Sequence, residues 1–319
     1  TDADLVLGKL DPDTFAGGSI KLHADASKSA LSDHVGETLA MDAVEAAFGV
    51  AEVVDENMAN AARVHAVENG EDLSEYTMIA FGGAAPLHAG RLCEKLGISK
   101  LLIPPGAGVG SAIGFLRAPF SFEANRSVYM RLSDFDPDVI TKLLRQLREE
   151  AIGFVRSCDS SAEILSDFKV YMRYSGQGWE IPVSLSEDQA LNPNVETFKT
   201  LFEENYTSLF GRAVTGMDIE ITVWSVNATT PQSKVELIDK TDTKSQYIAS
   251  DTRNIFDPAI GSKVASSVVS RDSLQAGDML EGPAAIVEDE TTVIVPSSRD
   301  ALCQADGCIH VSLKSQGAN

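Results

Sequence analysis

One stretch of the chain reads Tyr76-Thr77-Met78-Ile79-Ala80-Phe81-Gly82-Gly83-Ala84-Ala85-Pro86 and joins an apolar run to a glycine turn. The apolar run, residues 76–81, predicts a short strand covered on both faces. Pro86 suits the first turn of a helix, and Gly97 suits the position just after its end. The stretch therefore predicts a strand–turn–helix unit of an α/β fold.

A second unit of the same kind follows directly. Residues 101–103 predict another buried strand, and Pro104 to Gly110 predict a rigid turn into a helix of small residues over 111–116. Two glycine turns at neighbouring strand ends can line one cleft, as in nucleotide-binding α/β domains. Upstream, apolar spacing predicts helices over 36–49 and 50–69, and the apolar residues of the second share one face: Val50, Val53, Val54, Met58, Ala61 and Ala62.

From about residue 125 the pattern changes to short strands and two long helices. The helices are predicted from Asp136 to about 157 and over 195–210. The predicted strands are 127–132, 167–174, 179–185, 218–228, 263–270, 284–288 and 309–313, and residues 233–262 are predicted to form a long loop. We therefore expect α/β followed by α+β, with an α/β domain over 1–124 and a β-rich domain over 125–319.

Composition excludes several classes of partner. The chain has 319 residues and a net charge of −21, so its surface repels nucleic acid and anionic membranes. It contains no apolar run of the roughly 18 residues that span a bilayer and no signal peptide pattern. The four scattered cysteines favour free thiols in a reducing cytoplasm over a disulfide framework. The five histidines form no metal-binding motif, so we expect no metal site made by this chain alone.

The glycine turns supply the candidate ligand-binding residues. Glycines after a strand let backbone approach a ligand, and the following helix N-terminus offers free N–H groups. The candidates are Gly82, Gly83, Ala84, Ala85, Pro86, Gly106 and Gly108. The alternative is that both turns serve packing alone.

Two side chains are candidates for catalysis. His88 lies just inside the predicted helix, where it can face the cleft as an acid, a base or a ligand, or simply lie on the surface. Asp2 and its neighbour Asp4 can contact a metal or phosphate if other polypeptide folds beside them; otherwise they belong to a frayed terminus.

A third motif, Arg173 to Glu180, predicts a hairpin loop that either contacts a partner or packs its aromatic residues on a sheet.

Five motifs, in order along the whole chain, resemble the ATP-binding subunit of the hydantoinase A / 5-oxoprolinase / acetone carboxylase family. Phe81 to Ala89 is similar to the family's Phe-Gly-Gly-Ala-Gly-Pro-Leu-His-Ala string, with Ala85 in place of a glycine. The other four motifs are Thr1 to Gly8, Pro104 to Gly114, Arg173 to Glu180 and Gly282 to Thr292. In the motif Pro104 to Gly114, Gly110 stands where a bulkier residue is common in the family.

The resemblance implies the second lobe of an actin/hexokinase/Hsp70-like ATPase fold, with the adenosine of ATP above Gly82 and Gly83. It also implies Mg²⁺, held mainly with an upstream lobe that carries the phosphate loops, and a second hydantoinase B-type subunit. The expected activity is phosphorylation of a cyclic amide carbonyl before ring opening, which this segment would not complete alone. A subunit of an acetone- or acetophenone-type carboxylase and a non-catalytic assembly or binding module stay open as alternatives.

Overall fold

The protein is described by a computed structural model that covers residues 1–232, 238–241 and 244–314. Within these residues the α-helices are α1 (Asp2–Val6), α2 (Ala24–Leu31), α3 (Glu37–Leu39), α4 (Ala43–Asn69), α5 (Ala85–Leu96), α6 (Gly110–Arg117), α7 (Pro137–Cys158), α8 (Glu187–Leu191) and α9 (Val195–Phe210). The strands are β1 (Thr77–Ile79), β2 (Lys100–Ile103), β3 (Ser121–Arg126), β4 (Met130–Arg131), β5 (Leu165–Tyr174), β6 (Ile181–Leu185), β7 (Ile219–Thr229), β8 (Ser245–Gln246), β9 (Asp251–Asp257), β10 (Ser262–Ser270), β11 (Asp278–Glu281), β12 (Ala284–Val287), β13 (Thr292–Val295), β14 (Arg299–Cys303) and β15 (Ile309–Leu313).

The chain forms two compact units, and the first is discontinuous in sequence. It contains residues 1–116 and the described residues from 238 onward, and the second contains residues 117–232. This division differs from the expected boundary at residue 124, because the C-terminal strands return to the first unit. There Ile309 of β15 pairs with Ile103 of β2.

The first unit is built on two mixed sheets. Their strand orders are β1-β2-β15-β14-β11-β8 and β13-β12-β10-β9. A core cluster joins buried residues of both sheets to Ala89 and Cys93 of α5. The predicted strand–turn–helix–strand unit is present, and β1 and β2 are parallel. On its other edge, β2 pairs with β15 in the antiparallel direction.

The prediction that the first strand is covered on both faces is wrong. β1 is an edge strand that pairs with β2, and Ile79 is 58% exposed. The apolar run fits an edge strand with an open face equally well, so its composition alone does not distinguish the two cases.

The two helices predicted over 36–49 and 50–69 form instead one helix, α4, of 27 residues. It begins at a capping box. The Asp42 side chain accepts hydrogen bonds from two backbone N–H groups, and the Glu45 side chain accepts one from the backbone N–H of Asp42. Gly49 lies inside the helix and does not end it. The apolar residues predicted to share one face do so, and this face points outward, since Val53 is 61% exposed while Asp55 is buried.

The second unit packs helices against one face of an antiparallel sheet. Its strand order is β3-β7-β5-β6, with β4 also paired to β7. The core contains fully buried Trp224, Phe198, Phe202 and Ile140. The helix predicted over 195–210 is confirmed, and α7 begins at Pro137 with the Asp136 side chain as its N-cap.

Other predicted strands and loops show mixed outcomes. The strand predicted over 127–132 is replaced by β3 and the two-residue β4. Of the predicted loop over 233–262, residues 233–237 and 242–243 lie outside the described residues. The rest contains β8 and β9, which the sequence missed because their polar residues pair with β11 and β10 through backbone ladders.

Over the described ranges, none of the helices combines the length and the apolar composition needed to cross a bilayer.

Candidate functional site

The first glycine turn has the geometry that the sequence predicts. Gly82 has a φ of +107°, a conformation that favours glycine, and its N–H donates to the carbonyl of Ala107 at 2.7 Å. A Cβ at Gly82 would meet no atom within 4 Å, so open space lies in front of this backbone. The two glycine turns are therefore hydrogen-bonded neighbours, with free space beside the first.

The second glycine turn meets protein. Gly106 takes a φ of +65°, and a Cβ on Gly108 would lie 2.4 Å from the Cβ of Glu290. The missing side chain of Gly108 thus lets the turn between β12 and β13 approach, which is the packing alternative at this position. Open space therefore lies beside Gly82 and, to a lesser degree, beside Gly83, where a Cβ would be 3.4 Å from the Glu290 carbonyl oxygen.

A cleft of about 280 Å³ lies beside Gly83. One wall is the start of α5, the second is the chain after α1, and the third is the turn between β12 and β13. The lining residues are Thr1, Asp4, Leu10, Asp11, Thr14, Phe15, Ala16, Gly83, Ala84, Leu87, His88 and Val287 to Thr292. The Thr291 hydroxyl donates to the Gly83 carbonyl at 2.9 Å and ties the turn to the glycine backbone.

His88 lies in this cleft between two carboxylates. Its Nδ1 is 2.8 Å from Oδ1 of Asp55, a residue of α4 that is only 2% exposed. Its Nε2 is 3.9 Å from Oδ2 of Asp4, whose Oδ1 lies 3.3 Å from Nζ of Lys9. An ionised carboxylate only accepts hydrogen bonds, so an ionised Asp55 at this distance favours the proton on Nδ1 and leaves Nε2 on the side of Asp4.

The structure separates the two predicted catalytic candidates. His88 lines the cleft, whereas the carboxylate of Asp2 accepts a hydrogen bond from Ser27 at 2.6 Å on α2. Asp4, two residues on, is the acidic residue that faces His88. The sequence missed Asp55 and Lys9 as members of this cluster, although Asp55 stands at helical spacing between the buried Ala51 and Ala59.

The lining of the cleft is rich in negative charge. Its lining includes the carboxylates of Asp4, Asp11, Glu288, Asp289 and Glu290 and, among the residues described, no lysine or arginine. Some of this charge is balanced from outside the cleft, since Arg271 pairs with Glu288 at 2.7 Å and Arg253 with Asp11 at 3.2 Å. Hydroxyl and amino donors, such as those of a nucleoside, fit this lining better than phosphates do.

Side chains that could bind a metal ion are the next feature of the site. In the parts of the chain that the structure describes, no three His, Cys, Asp or Glu side chains are placed to hold one metal ion.

The four cysteines are free thiols, as the sequence predicts. Cys93 lies buried in α5, and its burial raises the pKa of the thiol to about 11. A thiol that holds its proton at neutral pH is a poor nucleophile, so Cys93 serves the core.

The Arg173 to Glu180 motif forms the predicted hairpin loop between β5 and β6, in the second unit. Tyr174 is fully buried, and its hydroxyl accepts a hydrogen bond from the N–H of Val214 at 2.9 Å. Arg173 pairs with the buried Glu220 at 3.0 Å, whereas Trp179 is 76% exposed. The first half of the motif therefore packs the unit together, whereas Gly176, Gly178 and Trp179 are exposed to solvent.

The first unit is thus an α/β fold with mixed sheets and a cleft at the glycine turn that joins β1 to α5. Sequence comparison then identifies the family. The profile described as Hydantoinase/oxoprolinase matches residues 1–124, and the Hydantoinase/oxoprolinase C-terminal domain matches residues 137–313. The chain belongs to the hydantoinase/oxoprolinase family.

Three relatives place this family membership in context. Caprolactamase subunit alpha of Pseudomonas jessenii is 27% identical over 93% of this chain and 43% of its own length. The crystal structure of ATP-dependent caprolactamase from the same organism has a TM-score of 0.74 at 25% identity, covering 99% of this chain and 46% of that one. Nucleotide-free acetone carboxylase has a TM-score of 0.79 at 22% identity, covering 98% and 46%, and shows the shared fold.

This chain therefore spans less than half the length of each of these relatives.

Proposed function

We propose that this chain is the C-terminal part of the ATP-dependent subunit of a hydantoinase/oxoprolinase-type amidohydrolase. In the proposed reaction a cyclic amide carbonyl is activated by phosphorylation before the ring opens. The observation that carries the proposal is the open backbone of Gly82 and Gly83 at the head of α5, beside a cleft lined by hydrogen-bond acceptors. Family membership and the likeness to ATP-dependent caprolactamase support it.

The proposed binding mode puts the nucleoside end of ATP at this turn. Gly82, Gly83, Ala84, Ala85 and Pro86 form the surface under the nucleoside, and Gly106 and Gly108 hold the neighbouring turn that supports it. The carboxylates of the cleft would accept hydrogen bonds from ribose hydroxyl groups. Because the lining carries so much negative charge, the triphosphate would extend away from it, toward basic groups of another lobe.

Because of this negative charge, we assign different parts of the reaction to this chain, to another ATPase lobe and to a second subunit. The phosphates and Mg²⁺ are held mainly by an ATPase lobe outside this chain, so that two lobes of actin/hexokinase/Hsp70 type enclose the nucleotide. ATP supplies the phosphoryl group that converts a poor leaving group, the amide oxygen, into a good one, and the transfer depends on positioning and charge. A B-type second subunit completes the ring opening. In this chain His88 is the proposed acid–base or hydrogen-bonding group, and Asp55 sets its tautomer.

A carboxylase is the second candidate. The fold is shared with acetone carboxylase at a TM-score of 0.79, and this observation favours it as much as a hydrolase. A panel of substrates separates the two for the complete enzyme with its second subunit. We expect ATP hydrolysis to depend on a cyclic amide. Turnover that depends on a ketone and bicarbonate would support the carboxylase, and turnover with neither class would contradict both.

The binding proposal is tested on this chain by calorimetric titration with ATP, ADP and adenosine. Gly83→Asp puts a carboxylate into the open backbone, and we expect it to weaken binding of all three ligands at least tenfold, which corresponds to about 1.4 kcal/mol. Gly153→Asp is the matched control, because it adds the same charge on α7, where a Cβ meets no atom within 4 Å. Equal binding by both variants would remove Gly83 from the site.

A further inference from the structure

The outward face of α4 is apolar over four turns. Val50, Val53, Val54, Met58 and Val64 are 37%, 61%, 43%, 38% and 57% exposed. Their spacing of three, one, four and six residues keeps them on one side of the helix. The other exposed residues on this side between Val50 and Val64 are Asn57 and Ala61, so the whole face is uncharged. We refer to Val50, Val53, Val54, Met58 and Val64 as the outer face of α4.

Three charged residues of α4, Glu52, Glu56 and Arg63, lie on the opposite side, against α5. Glu52 accepts from Arg91 Nε at 2.8 Å and from Lys95 Nζ at 2.7 Å. Glu56 accepts from the same Lys95 Nζ at 3.0 Å, and Arg63 donates to the Lys95 carbonyl at 3.0 Å. A surface helix of a soluble protein usually shows the reverse order, with its apolar side inward. The arrangement in α4 thus leaves an apolar face without a cover among the described residues, in a chain whose net charge is −21.

We propose that the outer face of α4 is the docking surface for the polypeptide that carries the part of the hydantoinase/oxoprolinase subunit which this chain does not match. That part can be on the same polypeptide or on a separate one. The chain covers 46% of each of the two solved relatives, so more than half of each of those subunits lies outside the match and is available as a cover. An uncharged face of branched and flexible apolar side chains is typical of a permanent interface.

A second copy of this chain is a poorer occupant on grounds of charge. Two copies carry −21 each, and their mutual repulsion opposes a self-interface of this size. An anionic membrane is repelled for the same reason. The inference rests on the part of the proposed function that assigns this chain to a larger subunit, and it does not depend on ATP binding or turnover.

Site-specific photo-crosslinking tests the docking surface in the cells that naturally produce the protein. A benzophenone amino acid replaces Val54 in the full chain, and the same group replaces Gln146, an exposed residue of α7, as the control. We expect position 54, and not position 146, to crosslink to hydantoinase/oxoprolinase-type sequence outside the matched region, identified by mass spectrometry. Crosslinks to a second copy of this chain, to lipid or to an unrelated protein would overturn the proposal, and so would the absence of any crosslink.

A charged variant provides the second arm. Val53→Glu combined with Met58→Glu places two charges on side chains that are already exposed, so we expect the melting temperature of the chain to change by less than about 2 °C. The crosslink from position 54 should fall at least tenfold, and adenosine binding at Gly83 should stay unchanged. Retention of the full crosslink in this variant would contradict the docking surface. If the wild-type chain forms the crosslink but does not bind adenosine, the proposed nucleoside site is wrong and the docking surface stands. Failure of the docking surface and failure of the nucleoside site are therefore distinguishable.

Discussion

Nδ1 of His88 lies 2.8 Å from Oδ1 of Asp55, so a buried carboxylate on α4 fixes a ring on the first turn of α5. The contact joins a sequence motif to a residue 33 positions earlier and sets which ring nitrogen is free on the side of Asp4. The chemistry that we propose for His88 depends on this orientation, and the tautomer can be measured directly.

Asp55→Asn should change the tautomer of His88. In the wild type the carboxylate accepts from Nδ1, whereas the amide of asparagine can turn its NH₂ toward the ring and favour the proton on Nε2. Long-range ¹H–¹⁵N spectra, recorded where the ring is neutral, report the protonated nitrogen. Glu68→Gln, at the exposed end of α4, is the control and should keep the wild-type spectrum. An Asp55→Asn spectrum identical to the wild type would show that Asp55 does not set the tautomer.

Gly108→Ala should destabilise the first unit by about 1–3 kcal/mol, because the added methyl overpacks against Glu290. The Cβ would lie 2.4 Å from the Glu290 Cβ and 2.9 Å from its backbone carbonyl. Gly114→Ala is the matched control within α6, where a Cβ meets no atom within 4 Å, and it should be neutral or stabilising by up to about 1 kcal/mol. Denaturant unfolding measures both, and equal stability of the two variants would mean that Glu290 does not approach Gly108.

Glu52→Gln should destabilise the protein at neutral pH and not in acid. The hydrogen bond from Arg91, helped by Lys95, lowers the pKa of Glu52 below its ordinary value of 4.5. A carboxyl with a lowered pKa in the fold stabilises above its unfolded pKa, and the contribution disappears as the pH falls through the folded value. The melting temperatures of wild type and variant should therefore differ at pH 7 and converge as the pH falls through the lowered pKa of Glu52. A gap that is constant with pH would assign the loss to packing.

Arg173→Met should destabilise the second unit by about 2 kcal/mol or more, because it leaves the buried Glu220 without its ion-pair partner. Lys169→Met is the control on the same face of β5; among the described residues Lys169 forms no ion pair. Thermal unfolding of the two variants gives the comparison, and adenosine binding should be the same in both. Loss of adenosine binding in Arg173→Met with the fold intact would instead place this motif at the ligand.

Local signals predicted the elements whose residues interact with near neighbours. Asp136-Pro137 marks the start of α7, and the Gly82 turn has the geometry expected after a strand. The apolar outward face of α4 could not be predicted, since spacing shows that apolar residues share a face but not whether that face is covered. Asp55 was missed because its partner, His88, is remote in sequence. The return of β15 to β2 depends on pairing across about 200 residues, which no local pattern encodes.

In the binding mode that we propose, the backbone at Gly82 and Gly83 lies against the nucleoside of ATP. Amide chemical-shift mapping of the deuterated, ¹⁵N-labelled chain during titration with ATP and Mg²⁺ tests it most directly, because the method tolerates the weak binding expected of half a site. We predict that the largest shifts occur at Gly82, Gly83, Ala84 and Leu87 and in the turn between β12 and β13. Shifts confined to residues far from this turn, or no shifts at millimolar nucleotide, would contradict the account.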